Sequence, residues 1–426
     1  MNFFRQWGRF MMMGAQAHAK WEKEVSDTVF SSRKRMMMLC LFLVPVILGG
    51  IAFADQIADV MPHFLGGKKA YSPAFFSTGI FIASILIGIC AGLITGCIGA
   101  GGGFIIAPAL MSAGIKGILA VGTDLFHIFA KAIMGSVIHR KMGNVSVPLA
   151  LVFLIGAIVG ATVGGIINRV LYEINPMLSD AFITTIYSLM LGLLGGYSLM
   201  DYIKASKRGD TGGAHGGKDE GAELTPLSQK LQNVKIPPMI TFDQDVVPGG
   251  RSISCVFLIL SGVLVGMAGS IMGVGGGFLT FPIFVYVLGV SSMTTVGTDI
   301  LQIVFTAGYA SITQYAIYGF IFYTLAMGML LGSLIGIQIG AMVTKVVKGI
   351  TIRGFYALAV LSGFVNRIFA LPGKLGALEV INISKDTAAL LDKIGVYAFF
   401  LVIGGFAVWV IGTFLTNIKK LKGEAA

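Results

Sequence analysis

The amino-acid sequence predicts an all-α polytopic membrane protein made of two inverted-topology repeats, with broken helices at Gly-rich loops and one extra N-terminal transmembrane helix. Three observations predict it. Of 426 residues, 55% are hydrophobic and only 12% charged, too few charges for a water-soluble surface. The stretches 36–54, 72–98, 145–168, 181–200, 252–298, 300–344 and 395–418 contain no Asp, Glu, Lys or Arg, and each holds the roughly 20 residues that cross about 30 Å of hydrocarbon as a helix. Finally, one block of sequence recurs: GLITGCIGAGGGFIIAP at 92–108 aligns with GMAGSIMGVGGGFLTFP at 266–282.

The spans read as helices because backbone groups in lipid must pair within their own segment, and no stretch alternates with period two as a barrel strand does. Residues 1–74 supply a basic N-terminal extension, a first membrane helix at Met36 to Ala54 and an outside loop. The stretch Trp7 to Lys23 is amphipathic and Met-rich, suited to lying along the cytoplasmic membrane face or to an unordered tail. No small-residue cleavage pattern follows the first apolar run, so it is expected to stay as an anchor rather than leave as a signal peptide.

Repeat 1 covers 75–203, a polar linker covers 204–251 with GDTGGAHGGKDEG at 209–221, and repeat 2 covers 252–426 with an outside insertion at 371–393. The spacing between matched residues is 174 at the glycine block, 175 from VGTD at 121–124 to VGTD at 296–299, and 176 from Gly156, Gly160 and Gly164 to Gly332, Gly336 and Gly340. Three matched blocks in one order indicate duplication.

Orientation follows from basic loops, which stay on the cytoplasmic side. Placing Arg33, Lys34 and Arg35 inside also puts inside His139, Arg140 and Lys141, the linker, the group Lys345, Lys348 and Arg353, and the group Lys419, Lys420 and Lys422. This needs two passes between Gly99 and Arg140, one made by the short segment Phe104 to Ala113. Repeat 1 then starts outside and repeat 2 inside, the inverted arrangement of many transporters; if Phe104 to Ala113 does not complete a crossing, the repeats are parallel instead. Both termini are expected in the cytoplasm of a bacterial inner-membrane protein.

In each half a long helix runs into glycines, Gly99, Gly101, Gly102 and Gly103 or Gly273, Gly275, Gly276 and Gly277, followed by a short apolar segment with Pro108 or Pro282. Glycine takes positive φ freely, so a helix stops there and its neighbour's first amides become available to an anion. Broken helices at membrane depth line a cavity or are buried in protein. For Gly156, Gly160, Gly164 and their mates, close helix packing is the expected role.

A second signal is polarity inside the apolar stretches. Asp124, His127 and Lys131 share one face of a helix from about 118 to 138, and Asp299, Gln302 and Thr306 are their mates. Thr123-Asp124 and Thr298-Asp299 open each stripe and read as helix caps or as gating residues. Lys131 reads as substrate attraction, as a pair with Asp124 or as a snorkelling cation. His127 reads as a packing residue or a proton carrier.

The net charge of +11 does not form a continuous basic face, so nucleic acid is not an expected partner. Cys40, Cys90, Cys97 and Cys255 lack CxxC or His spacing, so free thiols, no metal and no cofactor are expected. No GK[ST], HExxH or GxSxG occurs, which argues against nucleotide or hydrolytic chemistry. A cation or proton antiporter using Asp124 and Asp299 is the rival reading.

The motifs G-x-G-G-G-F-x-x-x-P, ending at Pro108 and Pro282, and G-T-D, at Gly122 to Asp124 and Gly297 to Asp299, resemble those of the sulfite exporter TauE/SafE family. The resemblance covers about 75–200 and 252–417. It implies an inner-membrane permease exporting a sulfur-containing anion such as sulfite, sulfoacetate or another organosulfonate. The substrate-binding set expected from the motifs is then the eight glycines named above with Thr123, Asp124, Thr298, Asp299, His127, Lys131 and Gln302. The expected partners are the small anion and the lipid bilayer, and the reading is compatible with a homodimer.

Overall fold

The computed structural model describes residues 78–98, 102–141, 145–208, 224–243, 249–344 and 346–417. The N-terminal extension, the extra helix at 36–54, Gly99, Gly101 and the Gly-rich 209–221 stretch lie outside the described residues.

Repeat 1 contributes α1 (Thr78–Ile98), the short α2 (Gly103–Ser112), α3 (Gly117–Lys141), α4 (Val147–Ile174) and α5 (Pro176–Arg208). Repeat 2 contributes α7 (Cys255–Met272), the short α8 (Gly277–Pro282) running on into a π-helical turn Ile283–Leu288, α9 (Ser292–Tyr309) with a second π-helical stretch Ala310–Ala316, α10 (Tyr323–Val343), α11 (Gly349–Ala377) and α12 (Lys385–Thr416). Among the described residues, α1, α4, α5, α7, α10, α11 and α12 are long and apolar enough to cross a membrane. The chain is a multi-pass membrane protein of the all-α class, its described residues almost entirely helical. Between Gly99 and Arg140 the chain forms α2 and α3, of which α2 is a short apolar helix of 10 residues.

Small residues set the packing. Along α4, Gly156, Gly160 and Gly164 lie against Ile259, Val263 and Met267 of α7, and a Cβ on Gly164 would stand 2.6 Å from the Met267 carbonyl oxygen. Along α1, Gly88, Gly92 and Gly96 meet Met329, Ser333 and Ile337 of α10 in the same backbone-to-backbone fashion. Without side chains between them the helices approach closely, which is how association is favoured where lipid removes the hydrophobic drive. Residue numbers rise together across both interfaces, so α1 runs parallel to α10 and α4 parallel to α7. In the third large interface Gly192 and Gly195 of α5 face Phe364 and Leu361 of α11, while Gly354 faces Tyr202, so these two mates run antiparallel.

The segment read as a polar linker carries structure of its own. Thr225 caps α6 (Pro226–Asn233) by accepting from the Ser228 amide, and β1 (Met239–Phe242) pairs antiparallel with β2 (Arg251–Ser254). What holds these pieces is the far end of α8, whose last carbonyls have no helical partner. Thr225 Oγ1 donates to Tyr286 O at 2.6 Å, Gln232 Nε2 to Leu288 O at 2.8 Å and Arg251 Nη1 to Gly289 O at 2.8 Å. Asp243 accepts from both the amide and the hydroxyl of Ser291, at 2.7 and 2.8 Å, in front of α9. The end of α2 is held differently, by Arg367 of α11, which donates to Pro108 O at 3.3 Å, Ser112 Oγ at 2.8 Å and Asn366 Oδ1 at 2.7 Å. The region 371–393 is mostly helix, since only 378–384 separates α11 from α12.

Asp243→Ala leaves the buried Ser291 amide unsatisfied, a loss of about 1–3 kcal/mol, while the Ser291 hydroxyl keeps Thr294 Oγ1 as a partner. The expected result is faster protease cleavage between α6 and α7 and a lower unfolding temperature in detergent, read by limited proteolysis and thermal unfolding.

Candidate functional site

The second glycine break is the better defined. Helix α7 stops at Met272, and Gly273, Gly275 and Gly276 take φ of 81°, 66° and 86°, left-handed conformations that side chains resist. The carbonyls this stop leaves over are each met by a buried side chain. Tyr315 donates to Ser270 O at 2.6 Å, Asn168 Nδ2 to Ile271 O at 3.0 Å, and Tyr187 OH to Met272 O. Beyond the stop, the amides of Gly275, Gly276 and Gly277 make none of the backbone hydrogen bonds made by the residues flanking them. Positive helix-end charge therefore collects there.

Asp299 of α9 stands beside this end, its Oδ2 3.2 Å from where a Cβ on Gly277 would lie. The predicted stripe is a hydrogen-bonded chain: Gln302 Nε2 donates to Asp299 Oδ1 and Thr306 Oγ1 to Gln302 Oε1, each at 2.8 Å. Gln302 and Thr306 line a small cavity with Gly275, Gly269, Ser270 and Ala161, roomy enough for about one water molecule. The Ser270 hydroxyl facing this region is buried without a hydrogen-bond partner among the described residues.

At the first break Thr95 takes a central place. Its hydroxyl oxygen accepts from the Gly102 amide at 3.0 Å and from Lys131 Nζ at 3.3 Å, while its hydrogen goes to Ala91 O at 2.8 Å. Lys131 thus neither snorkels nor forms a contact pair with Asp124; it is tied to the glycine loop. Asp124 is fully buried, with neither oxygen hydrogen-bonded among the described residues. The His127 Nδ1 lies 3.6 Å from Asp124 Oδ1, and His127 Nε2 lies 3.0 Å from Ser333 Oγ.

The two breaks adjoin. A Cβ on Gly103 would meet Val274 Cγ1 at 3.1 Å and Ile128 Cδ1 at 2.8 Å, and one on Gly275 would meet Ile128 Cγ2 at 2.8 Å. The Phe104 and Phe278 rings, which follow the two breaks, stack at 6.2 Å. Ile128 fills the space directly between the breaks, and the cavity lies on the other side of Gly275 against α9.

The capping role read for G-T-D is corrected. Helix α3 begins at Gly117, and α9 begins after its own cap Ser291, which accepts from the Thr294 amide. Thr123 and Asp124, and likewise Thr298 and Asp299, therefore sit in the second turn. The threonines reach across the halves instead: Thr123 Oγ1 accepts from the Phe322 amide, and Thr298 Oγ1 from the Ser146 amide, each at 3.0 Å. Phe322 and Ser146 precede the mates α10 and α4, so the exchange is reciprocal.

Of the predicted site residues, Gly102, Gly103, Gly273, Gly275, Gly276, Gly277, Asp299 and Gln302 line or border the breaks, with Lys131 attached through Thr95. Asp124 and His127 form a separate buried pair on the same face of α3 as Lys131. Thr95, Asn168, Tyr187, Ser270, Tyr315 and Ser333 were not singled out in the sequence. Only Asn168, a buried amide at the end of a glycine stripe, left a signal there.

Cys97 donates to Gly340 O at 3.4 Å across the α1–α10 interface, and Cys90 and Cys255 are free thiols. Cys40 lies outside the described residues.

Comparison with known proteins matches residues 84–366 to the family described as sulfite exporter TauE/SafE. The chain is 25% identical over 261 residues to the probable membrane transporter protein YjnA of Bacillus subtilis (strain 168), covering 61% of this chain and 89% of that one. It is 24% identical over 281 residues to the probable membrane transporter protein YunE of the same organism, covering 64% and 91%. A shorter match, 26% identical over 171 residues, is to sulfite exporter TauE/SafE family protein 3 of Arabidopsis thaliana, covering 39% and 36%. No solved structure matches. With two thirds of its length in that match, and with the doubled glycine and G-T-D motifs inside it, the chain belongs to the sulfite exporter TauE/SafE family of membrane transporters.

Proposed function

We propose that the chain exports a small sulfur-containing anion, such as sulfite, sulfoacetate or another organosulfonate, across the bacterial inner membrane by alternating access. The anion sits at the second glycine break, its oxygens taken by the amides of Gly275 to Gly277 and by the side chains of Gln302 and Ser270. Lys131, fixed to the first break through Thr95, supplies positive charge from the other side. The observation that carries this reading is the meeting of the two breaks, Gly103 against Val274, which brings two positive half-helix ends to one place.

Inverted repeats support the mechanism. The mates α5 and α11 run antiparallel, and each half's G-T-D threonine holds the start of a helix in the other half. Such a pair interconverts inward- and outward-open forms by exchanging the conformations of its halves. In this orientation both termini lie in the cytoplasm, and the membrane potential assists anion export by about 2.3 kcal/mol per charge per 100 mV.

The test is uptake of labelled sulfite and sulfoacetate into inverted membrane vesicles. Gln302→Leu removes a donor from the site and breaks the link between Asp299 and Thr306, and uptake is expected to fall at least about tenfold, the loss of one hydrogen bond to a charged group. Unchanged uptake in Gln302→Leu and in Ser270→Ala overturns this site.

A further inference from the structure

The Asp124–His127 pair has hydrogen-bond arithmetic that does not close. Ser333 has one hydroxyl hydrogen, which it donates to Leu330 O at 3.2 Å. With that hydrogen so placed, we assign the imidazole as the donor in the 3.0 Å bond between His127 Nε2 and Ser333 Oγ, whose direction is set by the ring tautomer. A neutral imidazole carries its proton on one nitrogen only, so Nδ1 is left as a bare acceptor. That acceptor faces Asp124 Oδ1 at 3.6 Å. Both residues are completely buried, and Nδ1 and both Asp124 oxygens have no hydrogen-bond partner among the described residues. Two lone pairs held face to face in a dry interior repel, and an ionised carboxylate approached only by the Ala107 amide is costly to bury. One added proton between them removes both penalties.

We infer that Asp124 and His127 form a proton-binding site, with one proton held between Oδ1 and Nδ1, and that this proton binds together with the transported anion. The second half of this inference rests on the permease reading; the first does not. The coupling follows from charge on one helix face. Lys131 lies two turns from Asp124 and feels its charge. With Asp124 ionised, the ammonium at the first break is offset and an incoming anion gains little. With the proton in place, the cluster carries the positive charge of Lys131 alone, and the anion gains its full attraction. By linkage the anion raises proton affinity by the same factor.

The other groups near the pair do not supply the missing proton. From α2 the Ala107 amide approaches Asp124, from α5 Tyr187 lies within electrostatic reach but gives its hydrogen to Met272 O, and from α10 Ser333 is engaged as above. From α1, Thr95 meets only Lys131 and the loop. Asp299, the mate of Asp124, already accepts from Gln302, and its neighbour is an amide where the first half has histidine. The halves are thus unequal in the partner each carboxyl has. A divalent anion bound with one proton still carries one net negative charge outward, the charge on which the membrane potential acts.

Two measurements test this on the purified full-length protein. Infrared difference spectra across a pH titration without any anion, taken in an Asp299→Asn background that silences the other buried carboxyl, are expected to show a carboxyl band that adding Asp124→Asn removes; absence of the band before Asp124 is replaced, or its persistence afterwards, overturns the proton site. Sulfite added in weakly buffered solution, corrected against a protein-free blank, is expected to draw about one proton per bound anion into the wild type and none into Asp124→Asn. Sulfite binding with no proton uptake, or equal uptake in both proteins, overturns the coupling. No sulfite binding by the wild type overturns the permease reading instead, and with it the coupling, while the carboxyl band still decides the proton site.

Discussion

Gly160→Leu is expected to abolish accumulation of folded protein. The glycine faces the backbone of α7, where an added Cβ would meet the Met267 amide nitrogen at 2.7 Å as well as the Val263 carbonyl. Neither can rotate away as a side chain would. Overpacking a core ordinarily costs about 1–3 kcal/mol, and here relief requires separating two helices whose close approach is the interface itself. Gly336→Leu is expected to behave alike, because Gly336 stands in the same relation to Ile89 and Leu93 of α1. Gly196→Leu is the control, with nothing within 4 Å of its Cβ position. The measurement is yield and monodispersity on size-exclusion chromatography in mild detergent. Folded Gly160→Leu protein at wild-type yield would remove the account of the α4–α7 interface given above.

Gly276→Val is expected to give folded but transport-dead protein. Gly276 has φ 86° and precedes α8; an L residue there costs about 1–2 kcal/mol in backbone strain, and a β-branched one is worse placed still. The added Cβ would lie 2.8 Å from Val265 Cγ1, a side chain that also lines the cavity. A side-chain neighbour can shift, so the fold survives at reduced stability. The amides around it turn away from the site, and uptake of labelled sulfite per folded protein is expected to drop at least about tenfold, the equivalent of roughly 1.4 kcal/mol. Gly196→Leu should leave uptake intact, which separates a damaged site from a damaged membrane fold.

The broken helices were legible in the sequence because their cause is local. A run of glycines cannot hold a helix, and Gly273, Gly275 and Gly276 do take left-handed conformations. The stripe Asp299, Gln302, Thr306 was legible for the same reason, since helical spacing alone puts these residues on one face, and they hydrogen-bond in that order. The G-T-D motif misled because Thr and Asp after Gly have the composition of a cap, while the helices in fact start a full turn or more earlier, at Gly117 and Ser292. The linker misled because its Gly-rich centre hides a Thr225 cap and a hairpin whose partners, the carbonyls of Tyr286, Leu288 and Gly289, become available only once α8 ends where it does.

By itself the sequence determined that this chain spans a membrane and that a helix breaks at Gly273 to Gly276. Hydropathy and backbone freedom are properties of a segment and need no partner to be expressed. Only the tertiary structure decided that Lys131 is held by Thr95, that Tyr187, Asn168 and Tyr315 close off the end of α7, and that His127 turns its Nδ1 toward Asp124. Each of these depends on which donor lies within about 3 Å of which acceptor, and that distance is set by the packing of helices far apart in the chain.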